Sequence, residues 1–200
     1  LFEALTYTGE SIRRFGASEP ASGSEHFISH FIEMRHLVEN KPAILHGSKV
    51  ALGTIISAGW YRKLRSLTKE EVARLPAEVP DYEEDAREIR RLLGEPGDLL
   101  LESNSFLSTL SKQQVVRIRT LLLNNWEEVQ RIASQVPGPD ELKRLLKSVN
   151  GPQAAADLGL TETELQQAAR LSHYVRSRFT ISTLFFSLGI NLSTTDSPVS

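Results

Sequence analysis

The chain has 200 residues, 40% of them hydrophobic and 24% charged, so it is long and apolar enough to bury one sizeable core. Its net charge of −2, with acids and bases interspersed, argues against a nucleic-acid-binding protein or one that docks on anionic membranes. Cysteine is absent, which excludes disulfides and thiolate ligands, and no apolar stretch is long enough to span a bilayer. We expect a cytoplasmic protein.

The first half of the chain predicts three helices. They cover residues 1–14, about 23–40 and 46–64, and residues 16–24 form a loop of small residues between the first two. Ser22 and Glu25 have the spacing of a capping box, in which a hydroxyl and a carboxylate satisfy the free amides of a helix start. This signal places the start of the second helix.

Helical signals also fill the second half. Capping spacings recur at Thr68–Glu71 and Thr161–Glu164, and helical periodicity covers residues 82–93, 111–136, 140–149, 161–176 and 179–188. Gly94 to Gly97 predicts the end of a helix. Because no alternating strand pattern occurs, we predict an all-α helical bundle that forms one domain at residues 1–190, followed by a polar tail at 191–200.

Two histidines have positions that suit metal binding. His26 and His46 each fall in the first turn of a predicted helix, where the helix dipole disfavours imidazolium and keeps the ring neutral. His30 lies four residues after His26 on the same face, but the order Glu-His-x-x-x-His differs from the zinc protease motif. From this pattern alone, the favoured interpretation is that the histidines border the core without a metal. We assign His36 and His173 structural roles.

The loop before the second helix is a candidate anion site. Ser22, Gly23 and Ser24 stand at a helix N-terminus, where free amides and hydroxyls can hold a phosphate, although simple loop and cap chemistry explains them equally well. No nucleotide-binding glycine motif and no serine-hydrolase elbow occurs in the chain.

Three segments carry a family resemblance. Residues 20–26 read Pro-Ala-Ser-Gly-Ser-Glu-His, residues 45–54 contain a His-Gly pair, and residues 176–181 read Arg-Ser-Arg-Phe-Thr-Ile. Together they resemble the sn-glycerol-1-phosphate dehydrogenases, within the superfamily of iron-type alcohol dehydrogenases, glycerol dehydrogenases and dehydroquinate synthases. The resemblance covers most of the chain and corresponds to the helical C-terminal domain of that superfamily.

The resemblance implies a metal centre. It therefore favours His26 and His46 as metal ligands over the interpretation that they border the core without a metal. His26 and His46 match two ligands of a divalent metal (zinc, nickel or iron), and the third ligand is an aspartate from before the region that this chain covers. In that family an N-terminal Rossmann-like domain, which is also absent from this chain, binds NAD(P). With only two ligands, this chain alone should bind metal weakly. From their positions, His30 and the Ser22–Ser24 loop are candidate substrate contacts, although a role behind the metal ligands, at the surface or in the core stays open for His30. We also consider a homodimer.

The implied reaction is the reduction of dihydroxyacetone phosphate to sn-glycerol 1-phosphate by NAD(P)H. Glu19 stands where relatives usually have arginine, and this difference puts phosphate recognition in doubt. Two alternatives therefore stay open: a non-catalytic binding or regulatory module that keeps the family's fold, or a dehydrogenase that acts on a different polyol or ketone.

Overall fold

A computed structural model describes residues 2–194, which contain helices and no strands. The α-helices are α1 (Phe2–Phe15), α2 (Ser24–Val38), α3 (His46–Ser66), α4 (Lys69–Arg74), α5 (Tyr82–Leu93), α6 (Glu95–Ser103), α7 (Ser105–Ser108), α8 (Lys112–Asn124), α9 (Trp126–Ala133), α10 (Pro139–Ser148), α11 (Glu162–Leu171) and α12 (Ile181–Ser187). Short 3-10 turns occupy Glu19–Ala21, Ala155–Leu158 and Ser172–Tyr174. The predicted all-α class is confirmed.

Helices α2 and α3 form the centre of the bundle. Phe27 and Phe31 of α2 are four residues apart on one face of the helix and are fully buried, and Trp60 of α3 joins them in the core. Gly53 lies directly against the backbone of Glu25, so that a Cβ at this position would come within 2.5 Å of the Glu25 carbonyl oxygen. This close approach fixes α3 against the first turn of α2.

Two of the three predicted capping boxes are confirmed. Thr68 and Thr161 form complete capping boxes with Glu71 and Glu164. The box predicted at Ser22 is wrong, because the N-cap of α2 is Gly23 and no side chain caps it. Glu25 does reach back as expected, since its Oε1 accepts a hydrogen bond from the Gly23 amide at 2.8 Å.

Three predicted boundaries in the second half need correction. Gly94 ends α5 with a φ of 59°. A further helix that was not predicted, α6, begins directly after it, with Pro96 in its first turn. The segment 111–136 is broken at Asn125 into α8 and α9. The segment 161–176 leaves α-helix geometry after Leu171.

The C-terminal segment packs against the bundle as far as it is described. Leu192 is buried, and the indole of Trp60 donates a hydrogen bond to the Ser193 carbonyl at 2.9 Å. The rest of the predicted polar tail, residues 195–200, lies outside the described residues. The division of the chain at residue 190 stays a prediction.

Candidate metal centre

Three imidazoles from α2 and α3 form a cluster at the edge of the core. The ring centroid of His46 lies 5.4 Å from that of His26 and 5.5 Å from that of His30, and the His26 and His30 centroids are 6.4 Å apart. The side chains of His26 and His30 are about one quarter and one third exposed. The cluster is therefore accessible from solvent on one side.

The segment between the helices brings His46 to the middle of α2. Residues 39–45 are not helical, and the Nδ1 of His36 hydrogen-bonds the Pro42 carbonyl at 2.9 Å, which holds this segment beside α2. His46 then begins α3 with its Nδ1 3.4 Å from the Ser29 hydroxyl. A short turn would instead have started α3 at the C-terminal end of α2. His46 would then lie far from His26 at the N-terminal end, because each residue lengthens a helix by 1.5 Å.

Glu25 fixes the tautomer of His26. Its Oε1 lies 2.9 Å from the His26 Nδ1, and because an ionised carboxylate only accepts hydrogen bonds, the imidazole must donate. The Nε2 of His26 then has a free lone pair. A carboxylate behind a histidine in this way is the usual support for a metal-ligating imidazole.

A second polar group lies beside His30. The Nδ1 of His30 is 3.4 Å from the Glu33 Oε2, and the Lys49 ammonium is 3.5 Å from the same oxygen. Desolvation lowers the pKa of His30, and the charges of His46 and Arg176 lower it further against the opposing effect of Glu33. The ring is therefore in the neutral form that binds metals at neutral pH.

Glu33 is held in its charged form. Desolvation raises the pKa of its carboxyl, but the charge of Lys49 and the contact with His30 outweigh this and lower the pKa below its usual value. Lys49 itself is only 3% exposed, so its ammonium depends on Glu33 for compensation. Nitrogen or oxygen atoms of His30, Glu33 and His46 all lie within 4.8 Å of one another.

These residues fit a divalent metal ion. Two imidazoles that ligate one zinc ion at about 2.1 Å place their ring centroids about 5 Å apart, close to the distance between His26 and His46. The donors are imidazole and carboxylate, which suit zinc, nickel and iron.

The predicted phosphate loop is largely occupied by internal contacts. The Ser24 hydroxyl donates to the Ser182 hydroxyl at 3.0 Å and accepts from the Ser182 amide, and the Gly23 amide is used by Glu25. The nearby cation is Arg178, which donates to the Ser22 carbonyl at 3.4 Å.

The guanidinium of Arg178 is paired with an acid. Its Nε lies 3.4 Å from Oε1 of Glu19, and its Nη2 donates to the Ser18 hydroxyl at 3.2 Å. Glu19 thus offsets the charge of a cation that contacts the Ser22–Ser24 loop. The role of that loop in substrate binding stays a prediction.

The other two histidines lie apart from the cluster. His36 bonds the Pro42 carbonyl, and His173 is buried between the rings of Tyr174 and Phe186, with centroid distances of 4.4 and 4.3 Å. Sequence reasoning missed the roles of Glu25 and Lys49. Glu25 was assigned to a capping box with Ser22, so its contact with His26 was not predicted. No sequence signal marks Lys49 as buried.

Comparison with known proteins agrees with the family resemblance. Glycerol-1-phosphate dehydrogenase (NAD(P)+) of Halalkalibacterium halodurans is 27% identical over 181 residues, which are 90% of this chain and 36% of that enzyme. The enzyme of the same name from Geobacillus stearothermophilus is 27% identical over 90% of the chain, again 36% of its own length. That from Thermococcus kodakarensis is 39% identical over 42% of the chain and 22% of its own length.

The chain is homologous to a C-terminal portion of the glycerol-1-phosphate dehydrogenases. It spans about a third of the length of the first two relatives. Neither a protein-family model nor a solved structure matches the chain. Among residues 2–194, no helix combines the length and the apolar character needed to cross a membrane.

Proposed function

We propose that this chain is the metal- and substrate-binding portion of an NAD(P)-dependent oxidoreductase that reduces dihydroxyacetone phosphate to sn-glycerol 1-phosphate. The observation that carries the proposal is the convergence of His26 and His46, with Glu25 holding the His26 ring so that its Nε2 is free. Homology with glycerol-1-phosphate dehydrogenases over 90% of the chain supports the reaction class.

The residues of this chain have distinct roles in the proposed reaction. His26 and His46 hold the metal, and Glu25 orients the His26 ring. When bound, a divalent metal polarises the carbonyl oxygen of the ketone and stabilises the negative charge that develops on it. His30 lies beside the two ligands, with its ring centroid 5.5 Å from that of His46, and we assign it a contact with substrate.

The remaining parts of the reaction lie outside this chain. A Rossmann-like domain would bind NAD(P)H, whose nicotinamide ring supplies the hydride, and an aspartate from before this region would complete the metal ligands. A cytoplasmic location and a homodimeric state stay predictions.

The test is an assay of the polypeptide that contains this chain and its Rossmann-like partner domain. We expect NAD(P)H oxidation that depends on dihydroxyacetone phosphate, is lost after chelation and returns with a divalent metal. His26→Ala and His46→Ala should each reduce the rate to background while circular dichroism stays helical. A rate that survives both substitutions would refute the metal centre.

A second candidate is favoured by the pairing of Glu19 with Arg178. Because Glu19 pairs with Arg178, a cation that contacts the Ser22–Ser24 loop, a phosphate at that loop has less positive charge to bind. The substrate would then be an unphosphorylated polyol or ketone, or the chain would be a non-catalytic module. Parallel assays of dihydroxyacetone and dihydroxyacetone phosphate separate these alternatives. A preference for the phosphate rejects this second candidate. No turnover of any ketone supports a non-catalytic module.

A further inference from the structure

An ion pair between α2 and α3, formed by Glu33 and Lys49, lies directly beside His30. We propose that Lys49 is a positioning residue, which acts through Glu33 to keep the proton of His30 on Nδ1 and so leaves Nε2 to accept a hydrogen bond from a hydroxyl group of the substrate. The inference rests on the proposed function for the identity of the substrate. It leaves His26 and His46 as the metal ligands.

Burial of Lys49 fixes the position of the Glu33 carboxylate. Lys49 lies three residues after His46 in α3, and only 3% of its side chain is exposed. Its Nζ is 3.5 Å from Oε2 of Glu33, whose side chain is 45% exposed. A glutamate that is half in solvent would otherwise spread over several rotamers, whereas a buried ammonium depends on its counter-charge. Lys49 therefore holds this carboxylate against the bundle.

The same carboxylate oxygen contacts His30. Oε2 of Glu33 lies 3.4 Å from Nδ1 of His30, three residues earlier on the same face of α2. An ionised carboxylate only accepts hydrogen bonds, so Nδ1 of the imidazole must donate. Because a neutral imidazole carries one proton, its Nε2 is then an acceptor. The position of the Glu33 carboxylate thus decides which nitrogen of His30 carries the proton.

The acceptor nitrogen of His30 is available to a ligand. Among residues 2–194, no hydrogen-bond partner contacts its Nε2, and about one third of the side chain is exposed. The ring centroid lies 5.5 Å from that of His46 and 6.4 Å from that of His26. A ketone held at these two ligands therefore lies within reach of the His30 ring.

Dihydroxyacetone phosphate offers one kind of donor to such an acceptor. Its carbonyl oxygen only accepts hydrogen bonds, and its phosphate, with a second pKa of about 6, is mainly a dianion at neutral pH and also accepts. The donor is the hydroxyl group next to the carbonyl. An acceptor at Nε2 of His30 therefore selects ketones that carry this hydroxyl, because a ketone without it leaves the acceptor unpaired.

The ¹⁵N chemical shifts of the imidazole ring measure the proton position in the metal-free 200-residue chain. We expect His30 to be protonated mainly at Nδ1, and Glu33→Ala to make the Nε2-protonated form the majority. Lys49→Met should change the ratio in the same direction, and Lys49→Gln makes the same test if Lys49→Met does not fold. Glu39→Ala and Lys41→Met are matched controls, since they break an ion pair at the far end of α2.

The second measurement uses the polypeptide that contains this chain and its Rossmann-like partner domain. It compares dihydroxyacetone phosphate with hydroxyacetone phosphate, in which a methyl group replaces the hydroxymethyl group. The kcat/KM of the wild type should be about 10–100-fold lower for hydroxyacetone phosphate. Lys49→Met should raise KM for dihydroxyacetone phosphate about tenfold and change that for hydroxyacetone phosphate less than about twofold. A purely structural defect would instead impair both ketones alike.

A double variant tests whether Lys49 acts through Glu33. Glu33→Ala with Lys49→Met should discriminate between the two ketones no better and no worse than Glu33→Ala alone. Additive losses would overturn the proposal. So would a wild-type His30 protonated mainly at Nε2, or a proton position that does not respond to substitution of Lys49.

Failure of this proposal is distinguishable from failure of the proposed function. Ketone reduction whose preference for the hydroxyl group is the same in Lys49→Met and in the wild type overturns the role of Lys49 and leaves the function standing. No turnover of any ketone rejects the function, and the ring shifts then decide the role of Lys49 by themselves. A His30 proton that responds to Lys49→Met supports that role, and one that does not respond overturns it.

Discussion

The carboxylate of Glu25 accepts a hydrogen bond from Nδ1 of His26 at 2.9 Å, and the two residues are neighbours in the chain. The same carboxylate oxygen accepts the Gly23 amide, so that one side chain both ties back the start of α2 and orients the first imidazole of the cluster. The position of the helix start and the chemistry of the site are therefore coupled.

The first prediction concerns the His26 tautomer. In the metal-free protein, His26 should be mainly the Nδ1-protonated form, and Glu25→Ala should convert the majority of it to the Nε2-protonated form, because the acceptor at Nδ1 is lost. The ¹⁵N chemical shifts of the imidazole ring measure this ratio. Glu39→Gln is the control and should change nothing at His26. A wild-type ring protonated mainly at Nε2 would contradict the assignment.

The second prediction concerns the contact between α2 and α3. Gly53→Ala should destabilise the protein by about 2 kcal/mol, because the new methyl group would meet the Glu25 carbonyl oxygen at 2.5 Å and backbone cannot yield as a side chain can. Gly59→Ala, in the same helix with nothing within 4 Å, should instead stabilise by about 0.5–1 kcal/mol. Urea unfolding measures both. Equal effects would mean that the close approach does not exist.

The third prediction concerns the acid sensitivity of His173. Burial lowers its pKa from 6.5 to about 3, and the charge of Arg170 adds to this. The unfolded chain therefore binds more protons between these two values, so the contribution to stability is complete above pH 6.5 and is lost as the pH falls towards 3.

Replacement of this ring should flatten the pH profile. In His173→Phe, the free energy of unfolding should fall less between about pH 7 and pH 4 than in the wild type, because the group that takes up the proton on unfolding is gone. Urea titrations at both pH values measure the difference. A variant with the same loss of stability as the wild type would show that His173 is not the group responsible.

The fourth prediction concerns a buried amide. The side-chain amide of Asn104, which is 2% exposed, donates to the carbonyls of His173 at 3.1 Å and Arg176 at 3.2 Å. Asn104→Ala leaves these acceptors without that donor and should cost about 1–3 kcal/mol of unfolding free energy. The exposed Asn124→Ala should stay within about 0.5 kcal/mol of wild type. Thermal unfolding compares the two, and similar midpoints would refute the role of Asn104.

Local signals predicted the helices well where caps and periodicity agreed. Thr68 and Thr161 cap their helices as expected, because the Thr-x-x-Glu pair satisfies free amides without help from the rest of the fold. The same signal failed at Ser22, where Gly23 is the cap and the hydroxyl of Ser24 is buried against Ser182 of α12. Contact with a distant helix decided that site.

The sequence by itself determined the all-α class, the absence of thiolate ligands and the placement of His26 and His46 in the first turns of two helices, since these follow from composition, helical periodicity and the Gly and Pro residues between the helices. Only the tertiary structure decided that the two rings meet, because residues 39–45 run back beside α2 and Gly53 lets α3 approach the backbone of Glu25. It also decided that Lys49 is buried against Glu33. Burial and long-range distance depend on how helices pack, and no local pattern encodes them.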